Sequence, residues 1–150
     1  MEEFLTGELD VSPEAAERRS LSVIRELVPA DTPTPRLDVQ ELVATALRTI
    51  ALKELSDDRD NVIAEVPVYG SIGAVDRLIA GRADAVRYRN RDAEIVFDWK
   101  SDVDPKADDR AAYAHQLAQY VHVLRAKRGA IVYMTTGEIQ WVDSAQVATT

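Results

Sequence analysis

The chain contains no cysteine and only two histidines in its 150 residues. Without thiols there can be no disulfide scaffold, no thiolate zinc site and no iron–sulfur cluster. No apolar run approaches the roughly 18 residues that a membrane span requires. The first residues, Met1 to Phe4, are acidic, whereas a secretory signal begins with basic and then apolar residues. We therefore expect a soluble, cytoplasmic protein with no membrane partner.

Positive charge is scarce in one half of the chain only. Residues 1–75 contain 15 acidic side chains and 7 Lys or Arg, whereas residues 76–150 contain 11 of each, so the net charge of −8 belongs to the first half. An acidic protein is a poor general nucleic-acid binder, because phosphate contacts need clustered Lys and Arg. An enzyme that cuts phosphodiesters, however, collects acids around a metal. Overall charge alone therefore does not exclude such an enzyme.

The length and pattern predict an N-terminal helical segment, residues 1–60, followed by a core, residues 61–150. Within the segment we expect two helices, Pro13 to about Val28 and Val39 to Leu55, the second capped by Asp38. The proline-containing run Asp31 to Pro35 predicts a linker near residues 31–37. The composition, 46% hydrophobic and 29% charged, is that of a folded domain rather than a disordered chain.

The core alternates between strand and helix patterns. Turn residues and runs of Val, Ile and Tyr predict a meander of three antiparallel strands, then a helix that ends at Gly129, then two further strands. The expected ranges are 62–69, 78–88 and 93–100 for the meander, 110–128 for the helix, and 130–134 and 138–142 for the last strands. The predicted fold class is α/β, a mixed sheet flanked by helices.

Chemically informative side chains occur on these predicted elements. Because side chains alternate across a strand, Asp98 and Lys100 should share one face while Phe97 and Trp99 face the core. Asp84, in Gly81-Arg82-Ala83-Asp84, lies inside an otherwise apolar neighbouring strand and can approach Asp98. We expect Lys100 to lie at the exposed end of its strand.

Two further features accompany this pair. Glu65 is a lone acid on the preceding strand, and Gln116 and Tyr120 lie one helical turn apart on the same face. Each feature also has an ordinary explanation: an Asp-x-Lys pair can be a solvated ion pair, and a single acid can lie at a sheet edge. Acids that converge with one lysine repel each other unless a cation lies among them, and oxygen ligands suit Mg²⁺ or Mn²⁺. The set therefore predicts a metal site that activates water against a phosphodiester.

These motifs, in this order, resemble the PD-(D/E)XK nuclease superfamily. The string is Glu65, Gly81-Arg82-Ala83-Asp84, Phe97-Asp98-Trp99-Lys100 and Gln116-Leu117-Ala118-Gln119-Tyr120. It is most similar to the RecB-like branch, the C-terminal nuclease domain of helicase–nucleases, over residues 62–143. The resemblance implies a restriction-endonuclease-like core that hydrolyses DNA with Mg²⁺ or Mn²⁺, in DNA repair or recombination, with a helicase or another protein module as partner.

The resemblance also implies roles for individual residues. Asp84, Asp98 and the backbone carbonyl of Trp99 would bind the metal, with Glu65 as a further ligand. Lys100 would orient the attacking water or stabilise the charge of the transition state. Gln116 and Tyr120 would support the site and contact the phosphate backbone. Arg82 is a candidate substrate contact on a separate ground, its place in an arginine cluster around the predicted hairpin. The RecB-like branch usually has a metal-binding His on the helix before the first strand, and residues 39–55 contain none.

Several alternatives stay open at this point. The missing His and the acidic first half favour a non-catalytic module that keeps the fold for binding or assembly, and a third possibility is an α/β domain with a chance motif. Asp76 is a rival for the role of Asp84. His115 and His122 are seven residues apart, too far for one metal, and are assigned to the surface. A cluster around the predicted hairpin either follows a DNA backbone or forms a solvated edge: Arg82, Arg87, Arg89 and Arg91.

Overall fold

A computed structural model of the chain describes residues 1–27, 39–73 and 77–143. Three expectations lie outside these residues: the linker near residues 31–37, the cap at Asp38 and the rival site residue Asp76. In the described part no helix is long and apolar enough to cross a membrane.

The described residues form a mixed five-stranded sheet with helices on both faces, which confirms the predicted fold class and a restriction-endonuclease-like architecture. The strand order is β1-β2-β3-β4-β5; only the β3–β4 pair is parallel. The elements are α1 (Glu2–Leu5), α2 (Pro13–Leu27), α3 (Val39–Ile50), α4 (Lys53–Ser56), a 3₁₀ turn (Arg59–Asn61), β1 (Val62–Ile72), β2 (Arg77–Arg89), β3 (Asp92–Lys100), α5 (Ala107–Leu124), β4 (Arg128–Tyr133) and β5 (Glu138–Val142). All five strands occur where they were predicted, and their ends shift by at most three residues.

Two apolar clusters cover the two faces of the sheet. On one face Val96 and Ile131 pack with Leu117 and Val121 of α5. On the other face Phe97 and Val132 pack with Leu55 of α4, and α1 adds side chains to the same cluster. Successive side chains of β3 and β4 thus enter the two clusters in turn, as expected for strands that are buried on both faces.

The described residues of the N-terminal segment, 1–27 and 39–60, form four α-helices rather than the two expected. The helix predicted over residues 39–55 ends at Ile50, because Leu52 adopts an extended conformation with ψ of 131° before the short helix α4 begins. Because of this break, Ile50 and Leu55 belong to different apolar clusters. Leu55 lies against the sheet with 1% of its surface exposed. One continuous helix could not bury both residues in this way. The division of the chain near residue 60 remains a prediction.

Gly129 does not end the helix as expected. Helix α5 ends at Leu124, and Arg125 takes the left-handed cap position with φ of 54°. Gly129 lies in β4, where an added Cβ would come within 2.6 Å of Leu117 Cγ. This position needs glycine because α5 lies directly on the strand, and Gly70 and Gly81 likewise meet side chains of α5.

The hairpin of β1 and β2 is longer than the rest of the sheet. Pairing of these strands continues to Ile72 and Arg77, whereas the pairing of β2 with β3 begins only at Ala85 and Phe97. The two central strands therefore separate just beyond these residues, and the next side chain on β2 is that of Asp84.

The close packing of α5 on β4 yields a stability prediction. Gly129→Ala should lower the free energy of unfolding by about 1–3 kcal/mol, since the new methyl group overlaps Leu117 in a filled core. Urea denaturation of the two single variants and of Gly129→Ala/Leu117→Ala measures the coupling. Gly129→Ala should lower the free energy of unfolding clearly less in the Leu117→Ala background than in the wild-type protein. Purely additive effects would show that Leu117 does not contact the methyl group added at position 129.

Candidate active site

Strand β3 carries an acid and a lysine on its α5 side. The rings of Phe97 and Trp99 stack on the opposite face with centroids 5.5 Å apart and join the apolar cluster there. Asp98 and Lys100, which alternate with them, therefore lie toward α5, as the strand period predicted. The apolar pair anchors this end of the strand, so the position of the two charged side chains is set by the core behind them.

Asp84 lies where β2 and β3 separate. Its carboxylate accepts a hydrogen bond of 2.7 Å from the backbone N–H of Trp99, which takes the place of a ladder bond between the strands. Burial raises the pKa of the Asp84 carboxyl, the Trp99 N–H opposes this shift, and the nearby charge of Asp98 raises the pKa further. The two carboxylates thus interact across the gap between the strands.

Lys100 is largely buried, contrary to the expectation of an exposed strand end. Its side chain and that of Asp98 are 19% and 15% exposed, and Lys100 Nζ lies 2.8 Å from Asp98 Oδ2. The ammonium also lies 4.5 Å from the centre of the Tyr113 ring on α5, which covers it. Burial alone would lower the pKa of Lys100, but its contact with Asp98 and the charge of Asp84 hold the pKa above its ordinary value. The lysine is therefore charged and fixed in place.

Glu65 takes a different position from the other acids. It occupies a left-handed conformation with φ of 57°, and the pairing of β1 with β2 omits it between Ala64 and Val66. Its carboxylate is bound to Arg82, with Nε and Oε2 2.5 Å apart. The charge of Glu65 still contributes to the raised pKa of Asp84. The structure thus brings Asp84, Asp98 and Lys100 together and leaves Glu65 beside them in an ion pair.

Gln116 and Tyr120 lie on the face of α5 that meets β2. The amide of Gln116 donates a hydrogen bond of 3.3 Å to the Tyr120 hydroxyl. Tyr120 is buried, and an added Cβ on Gly81 would collide with its hydroxyl. Gln116 is exposed. The first glycine of the Gly81–Asp84 motif is thus required by the packing of Tyr120, and Gln116 is the member of the pair that faces outward.

A family model for the PD-(D/E)XK nuclease superfamily matches residues 1–148. The chain belongs to this superfamily. The match includes the N-terminal helices, which carry none of the sequence motifs. Members of the superfamily are usually nucleases and generally use divalent metals.

One solved structure similar to this nuclease-superfamily chain is described as the crystal structure of SSO0001. The two are 22% identical, and the match covers 90% of this chain and 66% of the other, with a TM-score of 0.45. The chain thus spans 66% of the length of that protein. No curated protein sequence matches this chain.

The side chains present in this superfamily member fit a divalent metal. Asp98 Oδ2 is buried and has the Lys100 ammonium 2.8 Å away as its ion-pair partner. Asp84 is partly buried beside it with a raised pKa. Among residues 1–27, 39–73 and 77–143, however, no three His, Cys, Asp or Glu side chains are grouped closely enough to bind an ion. The side chains that the structure offers a cation here are therefore the two carboxylates of Asp84 and Asp98.

Tyr113 is a site residue that the sequence motifs missed. Its ring contacts Lys100, and its hydroxyl donates to Asp102 Oδ2 at 3.3 Å in the loop after β3. The available signal was its spacing, since Tyr113 precedes Gln116 by three residues and so lies on the same face of α5. The lysine is thus held from both sides, by a carboxylate on its own strand and by an aromatic ring on the helix.

The buried ion pair predicts an asymmetric response to mutation. Lys100→Met keeps the length of the side chain but leaves the Asp98 carboxylate uncompensated, and should cost about 1–3 kcal/mol of unfolding free energy. Adding Asp98→Asn removes that charge, so the double variant should be more stable than Lys100→Met alone. Thermal or urea denaturation with chelator present tests this order. Equal stability of Lys100→Met and the wild-type protein would contradict the buried contact.

Proposed function

We propose that this protein is a nuclease domain that hydrolyses DNA phosphodiester bonds with Mg²⁺ or Mn²⁺. The observation that carries the proposal is the convergence of Asp84, Asp98 and the fixed ammonium of Lys100 where β2 and β3 separate. This is the arrangement that hydrolysis of a phosphodiester needs: oxygen ligands for a cation and a cationic donor beside them.

Each residue has a distinct role in the proposed reaction. Asp84, Asp98 and the Trp99 carbonyl would hold the metal, which would lower the pKa of a bound water and polarise the phosphate. Lys100 keeps its proton and places its positive charge where negative charge develops on the phosphate oxygens. Tyr113 covers the ammonium, which reduces competition from water.

Substrate contacts in this proposal come from exposed residues beside the carboxylates. Gln116 projects from α5, and Arg82 precedes Asp84 on β2 with 67% of its side chain exposed. Tyr120 supports Gln116 from below. The order of the motifs supports the finer assignment to the RecB-like branch, and with it a role in DNA repair or recombination next to a helicase module in the cytoplasm.

A second candidate is a non-catalytic module that uses the same fold for binding or assembly. It is favoured by the pairing of Glu65 with Arg82, which leaves two carboxylates rather than three for a cation. A weak or absent metal site would then accompany a structural role for the Lys100–Asp98 pair.

A cleavage assay separates these candidates. With Mg²⁺ or Mn²⁺ the wild-type chain should degrade DNA, and Asp84→Asn or Lys100→Met should slow cleavage roughly 100-fold or more, the scale of one lost transition-state contact. Linear, circular and single-stranded DNA, with an RNA strand in parallel, define the substrate. Lys53→Met, which removes an ammonium from a side chain 84% exposed on α4, is the matched control and should cleave normally. If Lys100→Met cleaves as fast as Lys53→Met, the activity lies elsewhere.

Metal binding has its own readout in thermal unfolding. Millimolar Mg²⁺ or Mn²⁺ should raise the midpoint of the wild-type protein, because a ligand bound only by the folded state stabilises it. Asp84→Asn should raise the midpoint of the metal-free protein, since its carboxylate is desolvated and repelled, and should abolish the metal-induced increase. The surface variant Asp57→Asn should keep that increase. An unchanged wild-type midpoint with both ions favours the non-catalytic module.

A further inference from the structure

A cavity lies at the opposite end of the sheet from the carboxylates. It has a volume of about 380 Å³ and is lined by the β2–β3 turn and by the segment that follows α5. Asp92, at its edge, precedes Asp98 by six residues on β3, a separation of about 20 Å along an extended strand. The cavity is therefore separate from the candidate active site. We call it the basic pocket, after its lining residues Arg91, Arg125 and Lys127.

Both arginines that line the basic pocket occupy backbone positions that favour glycine. Arg91 is the second residue of a two-residue turn, with φ of 72°, where Asn-Gly is the preferred pair and Asn90 precedes it. Arg125 is the left-handed cap of α5, with φ of 54°, where glycine is again preferred. A bulky residue at such a position carries a conformational cost, on the order of 1 kcal/mol. Both exceptions place an arginine in the same cavity.

The acidic side chains of the described residues do not neutralise all of the positive charge in the basic pocket. Arg91 and Arg125 have no ion-pair partner in the described part of the chain, and both are exposed. The carbonyls of Val121 and His122 in the last turn of α5 accept hydrogen bonds from the backbone N–H groups of Ala126 and Arg125, so these two are capped by backbone rather than by the arginine side chain. Lys127 contacts Glu94, which Arg87 and Arg89 also contact. The region thus has an excess of cations in a protein whose net charge is negative.

Besides its three cations the basic pocket is lined by one acid, Asp92, and by apolar side chains. Tyr88 and Leu124 line it and pack against the core between the sheet and α5, so their positions are fixed from beneath. A cationic edge beside an aromatic and aliphatic wall suits a ligand that carries both an oxyanion and a flat or apolar group. Arginine is the side chain that best matches phosphate oxygens.

We propose that the basic pocket binds a nucleoside phosphate, with Arg91, Arg125 and Lys127 at the phosphate and Tyr88 against the nucleoside. The ligand is either a free nucleotide or one nucleotide of a DNA strand that extends away from the carboxylates. This site requires no metal and no cleavage, so it stands or falls separately from the nuclease activity.

Fluorescence anisotropy on the full chain, with chelator present, tests the proposal. The probes are fluorescently labelled AMP and a labelled single-stranded oligonucleotide. Arg91→Gly and Arg125→Gly each remove a phosphate contact while giving the backbone the residue its conformation favours, so the fold is retained. Each variant should weaken binding roughly tenfold at unchanged or higher thermal stability. Asn90→Gly, in the same turn and also at positive φ, changes no charge and should bind like the wild-type protein.

The outcomes separate the two sources of the ligand. Weaker binding of labelled AMP by both arginine variants assigns the pocket to free nucleotides, and weaker binding of the oligonucleotide alone assigns it to a strand. The proposal is overturned if the wild-type chain binds neither probe, if the arginine variants bind both probes as well as wild type, or if Asn90→Gly weakens binding as much as they do.

Discussion

The position of the candidate active site depends on where the hydrogen-bonded pairing of β2 with β3 ends. Beyond Ala85 and Phe97 the strands separate, and the Trp99 N–H turns to the carboxylate of Asp84 instead of to a ladder carbonyl. This single hydrogen bond positions an acid on one strand beside an acid on the next. Neighbouring carboxylates repel each other unless positive charge lies between or beside them or one of them is protonated. Lys100 supplies that charge in the structure, and a divalent cation would add to it.

Helix α5 connects the site to the core. Glycines at positions 70, 81 and 129 let its side chains lie directly on three different strands. This close approach puts Tyr113 over Lys100 and Tyr120 beneath Gln116. The same packing therefore stabilises the sheet and fixes the rotamers of the charged residues, which is what a preorganised electrostatic site requires. The glycine of the Gly81–Asp84 motif has this packing role, whatever chemistry follows it.

The two ends of the sheet differ in charge, although the strands between them are apolar. One end holds the paired acids and a lysine that neutralises only one of them. The other holds arginines and a lysine around Glu94, which keep the pKa of that carboxyl low despite its burial. In β3 the charged side chains thus lie toward the two ends of the strand, and the residues between them, Ile95 to Phe97, are fully buried.

The sequence by itself determined the strands and which side chains of β3 share a face, because alternation is a local property of an extended chain. It also identified the acids, the lysine and the superfamily from the order of short motifs. It did not reveal the break after Ile50, the strand position of Gly129, the burial of Lys100 under Tyr113 or the pairing of Glu65 with Arg82. Each of these depends on contacts between residues far apart in the chain: Leu55 against the sheet, Leu117 against β4, α5 over the end of β3, and Arg82 of β2 against Glu65 of β1. Only the tertiary structure decides such contacts, since no local pattern specifies which distant surface a side chain will meet.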